Sequence, residues 1–71
     1  MKKISNYRWI VYIRKTKAIA PYFYWEAIPY KTKHFIIFLS QEYYRNIGSL
    51  KQNWQKFARL HKIKKWNFIK D

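Results

Sequence analysis

The sequence predicts an α+β fold: a three-stranded antiparallel meander, one amphipathic helix packed on one face, and room for a short C-terminal strand. Two observations support this fold class. Residues 7–14 and residues 22–30 alternate with a period of two and are rich in aromatic and β-branched side chains. After Ser49, apolar residues recur at helical spacing. The 71 residues are expected to form one small basic domain, 1–71, with a thin core.

The first predicted strand, residues 7–14, has two chemically different faces. The odd-numbered positions are wholly apolar and should face the core: Tyr7, Trp9, Val11 and Ile13. The even-numbered positions are mixed and cationic and should face outward: Arg8, Ile10, Tyr12 and Arg14. The predicted helix should therefore cover the odd-numbered side of the sheet, giving two layers around one core.

The second and third predicted strands follow after short basic connections. In residues 22–30, Glu26 marks one face as the solvated one, and Pro29 suggests an edge position or the end of the strand. The opposite, apolar face comprises Phe23, Trp25 and Ala27. Residues 34–40 form a continuous apolar run whose length favours a strand, and we expect it to be the most buried one. Three such runs with short breaks predict an antiparallel meander.

The predicted helix covers residues 50–62. Ser49 is expected to be its N-cap, in a capping box with Gln52, and Gly48 is expected to mark the break before it. One stripe of this helix suits the core: Leu50, Trp54, Phe57, Ala58 and His61. Residues 63–69 alternate enough to suggest a final short strand, which makes the element order β-β-β-α-β.

Charge and aromatic content restrict the function most. Sixteen Lys and Arg residues against three Asp and Glu residues give a net charge of +13. A field of this sign attracts an anionic partner, which can be nucleic acid (DNA or RNA), an anionic membrane or an acidic protein. Four Trp, seven Tyr and five Phe are too many rings for so small a core. Some rings should therefore lie at the surface, where they can stack on bases.

These features predict a nucleic-acid interface on the outward face of the sheet. Tyrosine and arginine side chains of the first two strands would meet there, with connecting lysines at the rim and the polar side of the helix extending the patch. The predicted binding residues are Arg8, Tyr12, Arg14, Lys15, Lys17, Tyr22, Tyr24, Lys31, Lys33, Lys56, Arg59 and Lys62. Most of the cations are lysine, a point charge rather than a bidentate reader, so backbone contact with low sequence specificity is expected.

Two other classes of function stay open on the sequence alone. A cationic, tryptophan-rich chain without cysteine is also typical of bacteriocin-like antimicrobial proteins that act on anionic membranes. The tyrosine-rich face is also compatible with a protein interface, either in a homodimer or in a phage inhibitor of a host factor. The excess of residues with AT-rich codons, such as Lys and Ile, indicates an AT-rich bacterial genome or a phage or mobile element.

Catalysis receives little support. The chain has no cysteine and one glycine, and its three acids are Glu26, Glu42 and Asp71, so neither thiol chemistry nor a glycine-rich phosphate loop is expected. His34 and His61 lie far apart without ligands nearby, so no metal or other cofactor is predicted. The absence of a clean apolar span or signal peptide predicts a cytoplasmic protein. The antimicrobial alternative implies secretion without a signal peptide.

Overall fold

The computed structural model describes residues 7–17, 22–30 and 36–70, and there the predicted α+β class is confirmed. The elements in chain order are strands β1 (Arg8–Lys15), β2 (Phe23–Pro29) and β3 (Phe38–Leu39), helix α1 (Ile47–Leu60) and strand β4 (Lys65–Lys70). The four strands form one mixed sheet in the order β3-β2-β1-β4. Helix α1 packs against one face of this sheet.

The strand pairing confirms the meander and adds a parallel edge. β1, β2 and β3 are antiparallel neighbours, in the order of the sequence. β4 pairs parallel to β1 at the opposite edge, with Trp66 beside Trp9 and Phe68 beside Val11. Parallel pairing requires a crossover connection, and α1 supplies it by crossing from β3 at one edge to β4 at the other. The first and last strands are therefore neighbours.

The core lies between the sheet and α1 and is built largely from tryptophan. Trp9, Trp25 and Trp54 are at most 1% exposed, and Trp54 contacts the other two rings at centroid distances of 6.5 and 5.0 Å. The Trp25 indole N–H donates to Asn53 Oδ1 at 2.8 Å, which satisfies one of these buried donors. The alternation predicted for β1 is confirmed, because Val11 and Ile13 are buried beside Trp9. No charged side chain is buried among the described residues.

The expectation that residues 34–40 form the most buried strand is wrong. Only Phe38–Leu39 is a strand, at the edge of the sheet, and residues 34 and 35, including His34, lie outside the described residues. Ile37 and Leu39 are 52% and 56% exposed, whereas Phe38 packs against the core. An apolar run cannot distinguish a central from an edge strand, and here the edge position leaves alternate side chains in water.

The helix begins earlier than predicted, because Asn46 rather than Ser49 is its N-cap. Asn46 has an extended backbone, and its Oδ1 accepts a hydrogen bond from the Ser49 N–H at 2.8 Å. Gly48 therefore lies in the first turn rather than at a break. A Cβ at this position would approach Asn46 Oδ1 at 3.3 Å, so glycine leaves room for the capping side chain. Of the predicted apolar stripe, Leu50, Trp54 and Ala58 are buried and Phe57 is partly buried, whereas His61 is the C-cap and is exposed.

Candidate nucleic-acid interface

The face of the sheet opposite α1, called the outer face here, is the candidate site. It carries the even-numbered residues of β1 and β2 and the odd-numbered residues of β4: Arg8, Ile10, Tyr12, Arg14, Tyr24, Glu26, Ile28, Lys65, Asn67 and Ile69. None of them is fully buried, and α1, the one helix in the described chain, packs on the other side. The alternation read from the sequence therefore leaves this face accessible to a ligand.

The centre of the outer face is a contact group of Tyr12, Arg14 and Glu26. Arg14 Nε lies 3.5 Å from Glu26 Oε2, and the Arg14 guanidinium carbon lies 4.6 Å from the centroid of the Tyr12 ring. Tyr12 is directly opposite Glu26 in the antiparallel register. Tyr12 and Glu26 thus help to position the Arg14 cation, and the carboxylate offsets part of its charge.

Further tyrosines extend this group across the sheet. Tyr24 is opposite Arg14 in the register and therefore diagonal to Tyr12, a relation that puts side chains about 7–8 Å apart. Tyr43, which is 65% exposed, contacts the Tyr24 ring edge-on at 5.7 Å. Tyr22 lies just before β2, where its backbone carbonyl accepts a hydrogen bond from the Thr16 N–H at 2.8 Å. The Tyr12 and Tyr24 rings thus lie beside the Arg14 side chain, and Tyr43 extends them beyond the sheet.

The described rim lysines and the outward-facing Arg8 lie at opposite ends of β1. Lys15 and Lys17 are exposed at one end, on either side of Thr16. Arg8 is exposed at the other end, beside Lys65 in the parallel register. Lys31 and Lys33, the other two predicted rim lysines, lie outside the described residues.

The predicted helix cations do not lie on the outer face itself. Lys56, Arg59 and Lys62 belong to α1 or the turn that follows it, and α1 lies on the opposite side of the sheet. Lys56 lines a groove towards β3, whereas Arg59 and Lys62 line a hollow towards β4. One continuous patch of all the predicted residues is therefore not formed.

A cationic hollow beside β4 was not predicted from the sequence, although Arg8, Arg59 and Lys62, which line it, are among the predicted binding residues. It consists of two adjoining parts, of about 400 and 580 Å³, that share Lys64 and Trp66, and we call it the Trp66 cleft. Its other lining residues are Arg8, Lys65 and Asn67 in the smaller part and Gln55, Arg59, Lys62 and Ile63 in the larger part. The basic run around Trp66 was visible in the sequence, but the pairing that brings Arg8 to it was not.

A second groove, between β3 and α1, is more apolar. It has a volume of about 710 Å³, and its lining includes Phe38, Leu39 and Leu60, the last of which is 79% exposed. Partial burial, and secondarily the Glu42 carboxylate, raises the pKa of the Tyr44 phenol in this groove above its ordinary value. The phenol therefore remains a neutral hydrogen-bonding group to a higher pH than an exposed tyrosine.

Residues 7–17, 22–30 and 36–70 contain no group of three or more side chains suited to holding a metal ion. The same residues include no helix with the length and apolar character needed to cross a membrane. No protein family, curated protein or solved structure matches the chain.

Proposed function

We propose that this domain binds single-stranded nucleic acid on the outer face of its sheet, through tyrosine stacking and phosphate contacts, with low sequence specificity. The observation that carries the proposal is the arrangement of Tyr12 and Tyr24 on the two central strands around Arg14. Single-stranded bases stack on rings presented by sheets of this kind, with a helix layer behind them.

Stacking gives the proposed site its attraction for bases. Each stacked base contributes about 1–3 kcal/mol and tolerates any sequence, because every base has a π-face. Arg14 offers a second surface, because a guanidinium that rests against Tyr12 can also stack on a base. The net charge of +13 adds a long-range attraction for phosphates that weakens with salt.

The width of the sheet favours single strands over duplex DNA. Four strands span about 14 Å between the outer strand axes. The major groove of B-DNA is about 12 Å wide and admits a helix or a two-stranded ribbon. Glu26 near the middle of the face also disfavours a close approach by the dense phosphates of a duplex. An extended single strand can place its bases on the rings and keep its phosphates towards the cationic ends.

The membrane alternative receives less support from the fold. Membrane-active cationic helices insert an apolar face into the lipid interface. In α1 that face is already occupied, because Leu50, Trp54 and Ala58 are buried against the sheet. Insertion would therefore require the core to open.

Binding of a partner protein is a second candidate, favoured by the apolar groove beside β3. Leu39 and Leu60 line that groove and are more than half exposed. Replacing both residues with serine should abolish partner binding or self-association in sedimentation velocity experiments, while nucleic-acid binding is unchanged. Loss of nucleic-acid binding in this variant would instead place the ligand on the helix side.

The test is a fluorescence anisotropy titration with labelled oligonucleotides of about 15 residues, a length that matches known single-strand sites. Poly(dT), poly(U) and a mixed duplex are compared between about 50 and 200 mM salt. Single strands should bind more tightly than the duplex. The double substitution Tyr12→Leu and Tyr24→Leu should weaken single-strand binding by about 2–4 kcal/mol, with little change in salt dependence.

The matched control is the pair Tyr12→Phe and Tyr24→Phe, which keeps both rings and should retain most of the affinity. Circular dichroism melts of all variants check that the fold persists. The proposal is wrong if the leucine variant binds like the wild type, or if binding to single strands is absent at the lowest salt.

A further inference from the structure

We infer that the Trp66 cleft is a second nucleic-acid site, in which the phosphodiester backbone passes around the edge of β4 from the outer face towards the end of α1. This inference rests on the proposed function and extends it to residues on the helix side of the sheet. Four observations support it: an unbalanced cluster of cations, a partly exposed tryptophan, a lysine in a costly backbone conformation, and continuity with the outer face.

The cleft is lined by several cationic residues and by neither of the described acidic residues. Five of its lining residues are positively charged: Arg8, Arg59, Lys62, Lys64 and Lys65. Neither acid that the structure describes lines it, since Glu26 contacts Arg14 and Glu42 lines the groove beside β3. None of the five cations forms an ion pair within the described part of the chain. Like charges held together repel one another, and a bound polyanion removes that repulsion.

Trp66 supplies a ring at the junction of the two parts of the cleft. Its ring contacts the buried Trp54 edge-on at 5.8 Å, which anchors it, and it is only partly buried. The other three tryptophans are at most 1% exposed. Trp66 is therefore the indole that a ligand can reach without disturbing the core. An anchored aromatic surface among cations matches the chemistry of a nucleotide better than that of a simple anion.

Lys62 occupies a position that favours glycine. Its φ is 59°, in the left-handed region, and it is the only described non-glycine residue with positive φ. It follows the C-cap His61 in a Schellman-type turn: the Lys62 N–H donates to the Arg59 carbonyl at 3.2 Å, and the Ile63 N–H donates to the Ala58 carbonyl at 2.8 Å. Glycine adopts this conformation without strain, whereas lysine does not. The lysine side chain thus occupies a site where the backbone alone favours glycine.

The cleft is continuous with the outer face. Arg8 and Lys65 are neighbours in the parallel register and belong to both regions. Lys64 follows in the cleft and Lys62 lies beyond it, at the end of α1. A backbone leaving the rings of Tyr12 therefore meets a track of cations around the edge of β4.

The helix dipole offers a purely structural reason for the same charges. Cations near a helix C-terminus stabilise the helix. On that explanation, Lys62→Gly should lower the melting temperature because a favourable charge is lost. If Lys62 serves binding instead, relief of the positive φ should raise the melting temperature by a few degrees. Loss of the lysine charge should at the same time weaken nucleic-acid binding. One variant thus separates a role in folding from a role in binding.

The decisive experiment uses the full chain and compares two double variants with the same change in charge. Lys62→Gly with Lys64→Gln removes two cations from the cleft. Lys51→Gln with Lys56→Gln removes two cations from elsewhere on α1. Binding to labelled poly(dT) should weaken roughly tenfold in the cleft variant, and the slope of log K against log salt should fall by about 1.4, from 0.7 per phosphate on single strands. The control should stay within about threefold of the wild type.

Two further measurements complete the test: binding of inorganic polyphosphate, and the change in tryptophan fluorescence emission when poly(dT) binds. Poly(dT) should quench emission in the wild type, and Trp66→Phe should remove most of the quenching. If the cleft variant binds poly(dT) like the control, or the quenching persists without Trp66, the cleft is not a binding site and the outer-face proposal stands alone. If the wild type binds polyphosphate but no oligonucleotide, the proposed function fails and the cleft binds a different polyanion. If it binds neither, both proposals are wrong.

Discussion

The inner face of the sheet excludes water with large apolar rings, whereas the outer face presents smaller groups of rings together with charges. On the inner side, Trp9 and Trp25 pack against Trp54 of α1. On the outer side, Tyr12 and Tyr24 flank Arg14, and none of the three is fully buried. Tyrosine suits this surface because its hydroxyl group remains in water while its ring is available for contact. The same strands thus supply stability on one side and a candidate site on the other.

The separation of the two faces also lets so small a chain tolerate so much positive charge. The described core contains no charged side chain, so folding buries none of the cations in the described residues. The described cations instead lie on the outer face, at the ends of the strands, on the exposed side of α1 and beside β4, where an anionic ligand can reach them. If this division is correct, substitutions on the inner face should change stability first, and substitutions on the outer face should change binding first.

The largest effect is expected for Trp9→Ala on the inner face. Removing this fully buried ring should cost about 3–5 kcal/mol. A domain of this size has a total stability of roughly 4–10 kcal/mol, so the variant should be largely destabilised in thermal or urea melts followed by circular dichroism. Ile10→Ala, the next residue but on the outer face, should cost only about 1 kcal/mol. Equal losses of stability in the two variants would contradict the proposed division between the faces.

A smaller effect on stability is expected at the helix cap. Asn46→Ala removes the acceptor of the Ser49 N–H and should cost about 1 kcal/mol. Asn46→Asp keeps the acceptor and adds a negative charge to a first turn that has no acidic residue, so stability should be retained or increased. Ser49→Ala should have little effect, because the cap uses its backbone rather than its side chain. A large loss of stability in Ser49→Ala, measured in urea melts, would mean that the Ser49 side chain is the N-cap.

The smallest effect distinguishes two arginines on the outer face. Arg8→Gln should lower the salt slope of single-strand binding by about 0.7, because Arg8 makes no ion pair among the described residues. Arg14→Gln should lower the slope by less, because Glu26 already offsets part of the Arg14 charge. Anisotropy titrations at four salt concentrations measure both slopes. A larger fall for Arg14 would mean that its contact with Glu26 breaks when the ligand binds.

Local patterns identified much of the fold because they report directly on burial. The alternation of residues 7–14 predicted which side of β1 faces the core, and the structure buries Trp9 and Val11 on that side. The helical spacing of Leu50 and Trp54 predicted the buried stripe of α1. The predicted N-cap was wrong because two residue types suit that position equally well. Asn46 and Ser49 are both good N-caps, and only the path of the backbone decided which side chain reaches the N–H.

The candidate site was visible from the sequence only in part. Arg8, Tyr12 and Arg14 share one face by simple alternation, so their grouping followed from the strand itself. The Trp66 cleft did not, because it joins the first strand, the end of the helix and the last strand. Basic residues close in sequence indicate a charged segment, but they do not show which distant side chains lie beside it.

The sequence by itself determined the net charge, the order of the elements and the side of each long strand that is buried, because these depend on composition and on local period. Only the tertiary structure decided that β3 lies at an edge and that β4 pairs parallel to β1. Those features depend on contacts between residues far apart in the chain, where the shared core between α1 and the sheet selects one arrangement. The local conformational preferences of the residues alone would have allowed several arrangements of the strands.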